Sequence, residues 1–217
     1  LNSNSMKAIR LIALAACMAA TLDASAQEQE IRLFSHRGGR MEHDENTLSA
    51  FQASYDAGYR GFETDIRMTR DGALVITHDS SLERTTDGTG TVEEKTEAEI
   101  RQLATKQGNK MMFLDELLEF LEGKEGLYVE FEMKTKPEAL YPEERLHAYC
   151  DKLYDAVMAV KPADATFVFT SGDYRGLRYL QAKHPGVDLL LITSKPCNDE
   201  TIDLCKAMGI KRMGATM

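Results

Sequence analysis

Short apolar runs alternate along this chain with stretches whose apolar positions recur at helical spacing. Residues 32–35 read as a strand carrying His36 at its end, and Gly38-Gly39 then breaks the chain and lets the backbone approach a ligand closely. Helical spacing covers 46–57, with Asp44 or Asn46 as candidate cap and Gly58 as the stop. Residues 61–67 alternate, so Glu63 and Asp65 face one way while Phe62, Thr64 and Ile66 face the other. After an Asp71-Gly72 turn, 74–77 is a buried-type strand that delivers His78.

Residues 80–112 lack a period and read as a loop or small insertion, with a short helix near 97–103. Leu114, Leu117, Leu118 and Leu121 fall on one stripe and predict a helix over 113–121. A strand over 127–134 puts Glu130, Glu132 and Lys134 on one face and Val129, Phe131 and Met133 on the other. Helices over 143–160, 174–183 and 199–208 then alternate with strands over 166–170, 187–192 and 210–215. This order predicts an α/β protein with a parallel sheet, above all a (β/α)8 TIM barrel, truncated after about strand seven and with a small insertion after the third strand. From Gln27 the chain has 191 residues, against the roughly 250 usual for such a barrel. An unpaired strand edge beside His36 is expected to follow.

The first 26 residues stand outside the pattern. Met6 reads as the start, Lys7 and Arg10 as a positive end, 11–22 as an apolar core and Ala24-Ser25-Ala26 as a cleavage signal. These predict a signal peptide over 1–26 and one barrel domain over 27–217. The apolar core is too short to span a bilayer. Leu14-Ala15-Ala16-Cys17 also resembles a lipobox, which makes a lipid anchor through Cys17 the alternative, and a buried N-terminal helix is the plainer one. Both export readings predict a periplasmic or extracellular protein. Cys150, Cys197 and Cys205 are an odd number without dense spacing, so buried free thiols are expected rather than a disulfide framework or a zinc site.

Composition changes the picture in one respect. With 43% hydrophobic and 28% charged residues, the chain suits a soluble globular domain, and a net charge of −9 argues against nucleic acid as partner. A phosphate-bearing small molecule is still compatible, because a bound metal ion inverts the local sign.

The candidate chemistry gathers at strand ends. His36 and His78 can serve as acid and base near neutral pH. Glu63, Asp65 and Glu132 form an all-oxygen set of the kind that holds Mg²⁺ or Ca²⁺. Arg37 and Lys134 offer cations to a phosphoryl group. Taken singly, each has a plainer reading: a satisfied polar histidine, a solvated strand face, a self-compensating charge ladder. Two histidines, a same-face carboxylate pair and E-x-K at successive strand ends resist that reading together.

The ordered segments HRGG, ENT, GFETDIRMTRDGALVITHD, LERTTDGTG and EMK resemble the glycerophosphodiester phosphodiesterase family, from residue 34 to 134 and more weakly to 193. The resemblance implies a (β/α)8 barrel with a small insertion. It implies Glu63, Asp65 and Glu132 as ligands of a divalent cation, His36 and His78 as the acid–base pair, and Arg37 and Lys134 as phosphate contacts. Glu45 of ENT reads as a support residue, and Glu130 is a rival for the third metal position. Where the family has proline-threonine-leucine this chain has Met112-Phe113-Leu114, and the last part of the family's barrel is absent. The expected activity is metal-dependent hydrolysis of glycerophosphodiesters to glycerol 3-phosphate and an alcohol. The alternatives are a phospholipase-D-like or cyclising phosphodiesterase with Met111, Met112 and Phe113 as an apolar rim, or a non-catalytic remnant.

Overall fold

The computed structural model describes residues 32–216, so the expected signal peptide and the Cys17 anchor lie outside the described residues. In chain order the elements are β1 (Phe34–His36), α1 (Leu48–Asp56), β2 (Gly61–Met68), β3 (Leu74–Ile76), α2 (Glu97–Ile100), α3 (Leu114–Leu121), β4 (Tyr128–Met133), α4 (Glu143–Ala159), β5 (Thr166–Ser171), α5 (Tyr174–Lys183), β6 (Leu189–Pro196), α6 (Asp199–Ala207) and β7 (Arg212–Thr216). Six strands lie parallel in the order β1, β2, β4, β5, β6, β7. This is the parallel strand–helix sheet of a (β/α)8 barrel, with β1 and β7 as its edges among the described residues.

Strand alternation sets where the core lies. Val129 and Phe131 of β4 are fully buried and Met133 nearly so, in one cluster with Tyr149, Leu153 and Leu177 of the covering helices, while Glu130 and Glu132 take the opposite face. Burying each large side chain of this kind is worth roughly 1.5–3 kcal/mol. Phe120 of α3 packs against Phe51, Tyr55 and Phe62, with ring centroids 6.2, 6.1 and 6.3 Å away, and so pins α1 and α3 to β2.

Several local expectations are corrected. β3 is antiparallel, pairing Ile76 with Ile66 of β2, so 74–77 is the return arm of a hairpin and not a barrel strand. Its apolar run carries no information about direction. The cap of α1 is Thr47, whose hydroxyl accepts from the Ala50 amide; Asn46, at φ 58°, instead donates to Asp65 and Asp44 accepts from Asn109. Gly38 and Gly39 make room for α1: a Cβ on Gly38 would stand 2.9 Å from the Phe51 ring, and one on Gly39 would stand 3.0 Å from the Ser54 hydroxyl. Cys150 and Cys205 are buried free thiols, but Cys197 is exposed.

The segment between β3 and α3 has its own small core of Val75, Leu82, Val92, Ile100, Met111 and Phe113. One buried ion pair fastens it to the sheet. Arg67 of β2 donates to Glu93 at 2.8 Å and to the carbonyls of His78, Lys134 and Lys136 at 3.0, 3.3 and 3.5 Å. Glu93 also accepts from Ser80 at 2.6 Å and Tyr141 at 3.0 Å.

Removing one partner of such a pair strands a buried charge, which typically costs about 3–5 kcal/mol. Arg67→Met is therefore expected to lower unfolding free energy by about that amount in denaturant titration, and adding Glu93→Leu to recover part of the loss. Wild-type stability in Arg67→Met would contradict this account.

Candidate active site

Parallel register lines up the chemistry. His36 is level with Glu63, Glu63 with Glu130, and Asp65 with Glu132, across β1, β2 and β4. Glu63, Asp65 and Glu132 each offer one carboxylate oxygen, and these lie within 4.8 Å of one another. Glu132, not its rival Glu130, joins this cluster. Asp65 is wholly buried and Glu63 is 8% exposed.

Such crowding is costly in charge. Burial first, then the neighbouring Asp65 and Glu132 carboxylates, push the Glu63 pKa well above the ordinary range. Burial also raises Glu132; the Lys134 cation pulls it back down, and Asp65 pushes it up again. The compensation present is partial. Lys134 Nζ lies 2.8 Å from Glu132 and 3.5 Å from Asp65, Arg37 Nε lies 3.4 Å from Asp65, and the Arg37 amide donates to Glu63 at 3.1 Å. Four buried polar atoms here have no hydrogen-bond partner: Glu63 Oε1, Asp65 Oδ1, Asn46 Oδ1 and Arg37 Nε. Oxygens left unpartnered inside a like-charged cluster fit a hard divalent cation.

The histidines flank the cluster. His36 Nε2 stands 3.4 Å from Glu63 Oε2. Burial, and then the Arg37 and Arg40 charges, lower the His36 pKa. His78 Nδ1 lies 2.5 Å from Asp79 Oδ1. Partial burial disfavours the Asp79 anion, but hydrogen bonds from Arg84 and His78 outweigh it and bring its pKa down to about 2. His78, Glu132 and Lys134 open into a cleft of about 450 Å³ bounded further by Ser80, Thr135 and Ser171, while His36 lines a second cleft of about 350 Å³ with Arg40, Glu42 and Tyr59.

The structure thus brings Glu63, Asp65, Glu132, His36, Arg37 and Lys134 together, and His78 lines the cleft that Glu132 and Lys134 also line. Arg37 is 8% exposed and faces Glu45 and Asp65. Glu45 is held between Arg37 and Arg84. Arg67 and Arg84 have no assigned part in the sequence reading, although Arg67 continues the Glu63, Asp65 face by alternation. Met111, Met112 and Phe113 are 6%, 2% and 2% exposed, which corrects the expectation of an apolar rim: they are core.

A family model for the "Glycerophosphoryl diester phosphodiesterase family" matches residues 36–215. The chain belongs to that family. Among curated family proteins, the glycerophosphodiester phosphodiesterase of Caldanaerobacter subterraneus is 36% identical over 123 residues, covering 52% of this chain and 50% of that protein. Human glycerophosphodiester phosphodiesterase 1 is 44% identical over 73 residues, 34% of this chain and 22% of that protein. The chain spans half the length or less of these relatives. A phosphodiesterase of Oleispira antarctica, solved with the product sn-glycerol-3-phosphate, superposes with a TM-score of 0.76 at 23% identity, over 85% of this chain and 74% of that one. A Parabacteroides distasonis member superposes with a TM-score of 0.65 at 26% identity, over 87% and 63%. The family match thus runs from the end of β1 into β7.

The raised carboxyl pKa values give a signed prediction. Between the ordinary value of 4.5 and the raised native values, the folded state holds more protons than the unfolded one, so stability without metal falls as pH rises through that window. A bound divalent cation removes the penalty. The melting-temperature gap between cation-loaded and EDTA-treated protein should widen from about pH 5 to about pH 8. A gap that stayed constant or narrowed would show that the cluster does not bind the ion.

Proposed function

We propose that this family member hydrolyses glycerophosphodiesters to glycerol 3-phosphate and an alcohol, using a divalent cation, Mg²⁺ or Ca²⁺. The observation that carries the reading is the cluster of Glu63, Asp65 and Glu132 with unpartnered buried oxygens, beside two histidines and two cations. Glu63, Asp65 and Glu132 would hold the ion, which supplies positive charge to the phosphate oxygens.

The chain's own groups account for the rest. Lys134, at the cleft wall, and Arg37, whose Nε makes no hydrogen bond within the protein, suit the phosphate oxygens. With its pKa lowered, His36 is neutral at physiological pH and able to take the proton of an attacking hydroxyl. Asp79 faces His78 Nδ1, so an imidazolium at His78 with Nδ1–H on that carboxylate would present its Nε2 proton to the leaving alkoxide and be left as the neutral Nδ1–H form. The same groups serve attack by water or by a neighbouring glycerol hydroxyl. Burial of Met111, Met112 and Phe113 removes the candidates for the apolar rim that a phospholipase-D-like reading would need.

In the enzyme assayed on glycerophosphocholine with Mg²⁺ or Ca²⁺, Glu63→Gln and Glu132→Gln should abolish cation-supported release of glycerol 3-phosphate. His36→Ala and His78→Ala should each lower the rate roughly 10²–10⁴-fold while cation binding, read by calorimetry, survives. Full turnover of the glutamine variants in EDTA would overturn the assignment, and an inactive wild type would favour the remnant.

We also propose export to the periplasm or exterior, supported by the Ala24-Ser25-Ala26 signal after an apolar stretch. Mass spectrometry of the secreted protein should find Gln27 as its first residue. A lipid-modified Cys17 would replace that reading with the anchored one.

A further inference from the structure

Two segments that no strand pairing joins meet through one guanidinium. Glu45 lies in the turn that follows His36, and Arg84 lies 39 residues on, in the insertion that follows His78. Arg84 donates to both Glu45 oxygens, Nη1 to Oε2 at 3.0 Å and Nη2 to Oε1 at 2.7 Å, and its Nε bonds Asp79. Glu45 Oε1 also accepts from Arg37 Nη1 at 3.1 Å, and Asp79 Oδ1 faces His78 Nδ1 at 2.5 Å. A continuous chain therefore runs from Arg37, beside His36, to His78.

We propose that Glu45 and Arg84 are a positioning pair that locks the turn after His36 to the segment bearing His78 and fixes which His78 nitrogen faces the cleft. Only a planar fork can serve two carboxylates with three directed donors; a lysine supplies the charge without the directions. Asp79 is oriented by Arg84 on one oxygen and accepts His78 Nδ1–H on the other, so Nε2 is the free nitrogen. Without Arg84, the Glu45 and Asp79 carboxylates lose their shared counter-charge, and Asp79 is free to turn away. Neither residue of the pair is required to touch substrate.

The inference rests on the hydrolase reading, and the test separates the two. In the full chain, Arg84→Met, Arg84→Lys and Glu45→Gln are compared with wild type for kcat and KM on glycerophosphocholine with Mg²⁺, and for the ¹⁵N ring shifts of His78. Each variant should lose roughly 10²-fold in kcat with KM near wild type, because a small misplacement of an acid–base group costs on that order. Lysine should not restore the rate. The double variant Arg84→Met/Glu45→Gln should lose little more than either single one, as partners in one link do. In its neutral form, His78 should pass from one Nδ1–H tautomer in wild type to a mixture in the variants, a change that lost stability alone would not produce. Arg84 has a 47% exposed side chain, so its replacement spares the core, and Glu45→Gln keeps size if Arg84→Met fails to fold. A folded Arg84→Met with wild-type kcat and an unchanged His78 tautomer overturns the proposal. Should wild type cleave no glycerophosphodiester, the hydrolase reading falls, and the His78 tautomer alone decides whether the pair positions it.

Discussion

Like charge held in a confined, dry corner governs this molecule. Three carboxyl groups within 4.8 Å, two of them at most 8% exposed, would repel one another apart if the surrounding backbone did not hold them. That work falls to β2. Its eight residues are all buried, with Phe62 and Ile66 anchored in the core on one face and Glu63, Asp65 and Arg67 presented on the other. Hydrophobic burial on the outer face thus supports an electrostatically unfavourable arrangement on the inner one. Stored unfavourable electrostatics of this kind is what gives a site affinity for a cation, because the ion relieves a cost that folding has already incurred.

The neighbours divide the task. Lys134 and the Arg37 guanidinium supply positive charge, while Asn46 and the Arg37 amide supply neutral dipoles. Arg37 and Asn46 both adopt positive φ, 54° and 58°, values that ordinary side chains rarely take. The turn between β1 and α1 is bent to aim these groups at the carboxylates, and the close packing of Gly38 on Phe51 seats that turn on its helix.

What the sequence revealed and concealed follows from the range of each interaction. Alternation on β2 and β4 was legible because one face of each is apolar, and a one-residue slip would bury the charges among the helices. The carboxylate cluster was legible for the same reason: E-x-D and E-x-K put their members on one face, and adjacency of β2 and β4 then brings Asp65 level with Glu132. The direction of β3 was not legible, since Leu74, Val75 and Ile76 are buried on both sides whichever way the strand runs. Met111 and Phe113 looked exposed only because the small core they complete draws on residues as distant as Val75 and Leu82, and Met112 because it joins the main core. Arg67–Glu93 and Glu45–Arg84 were hidden too, because contacts across 26 and 39 residues leave no periodic trace.

Arg67 has one consequence beyond stability. Its guanidinium ties the carbonyl of His78, the carbonyls of Lys134 and Lys136, and the Glu93 carboxylate to β2. Three stretches that border the cleft are therefore knotted at one point and cannot loosen independently. Shared contacts of this kind couple the insertion, the His78 segment and the end of β4 to one side chain, so loosening any one of them costs bonds to the others. His78 and Lys134 are in this sense ordered by the same contact that seats the insertion.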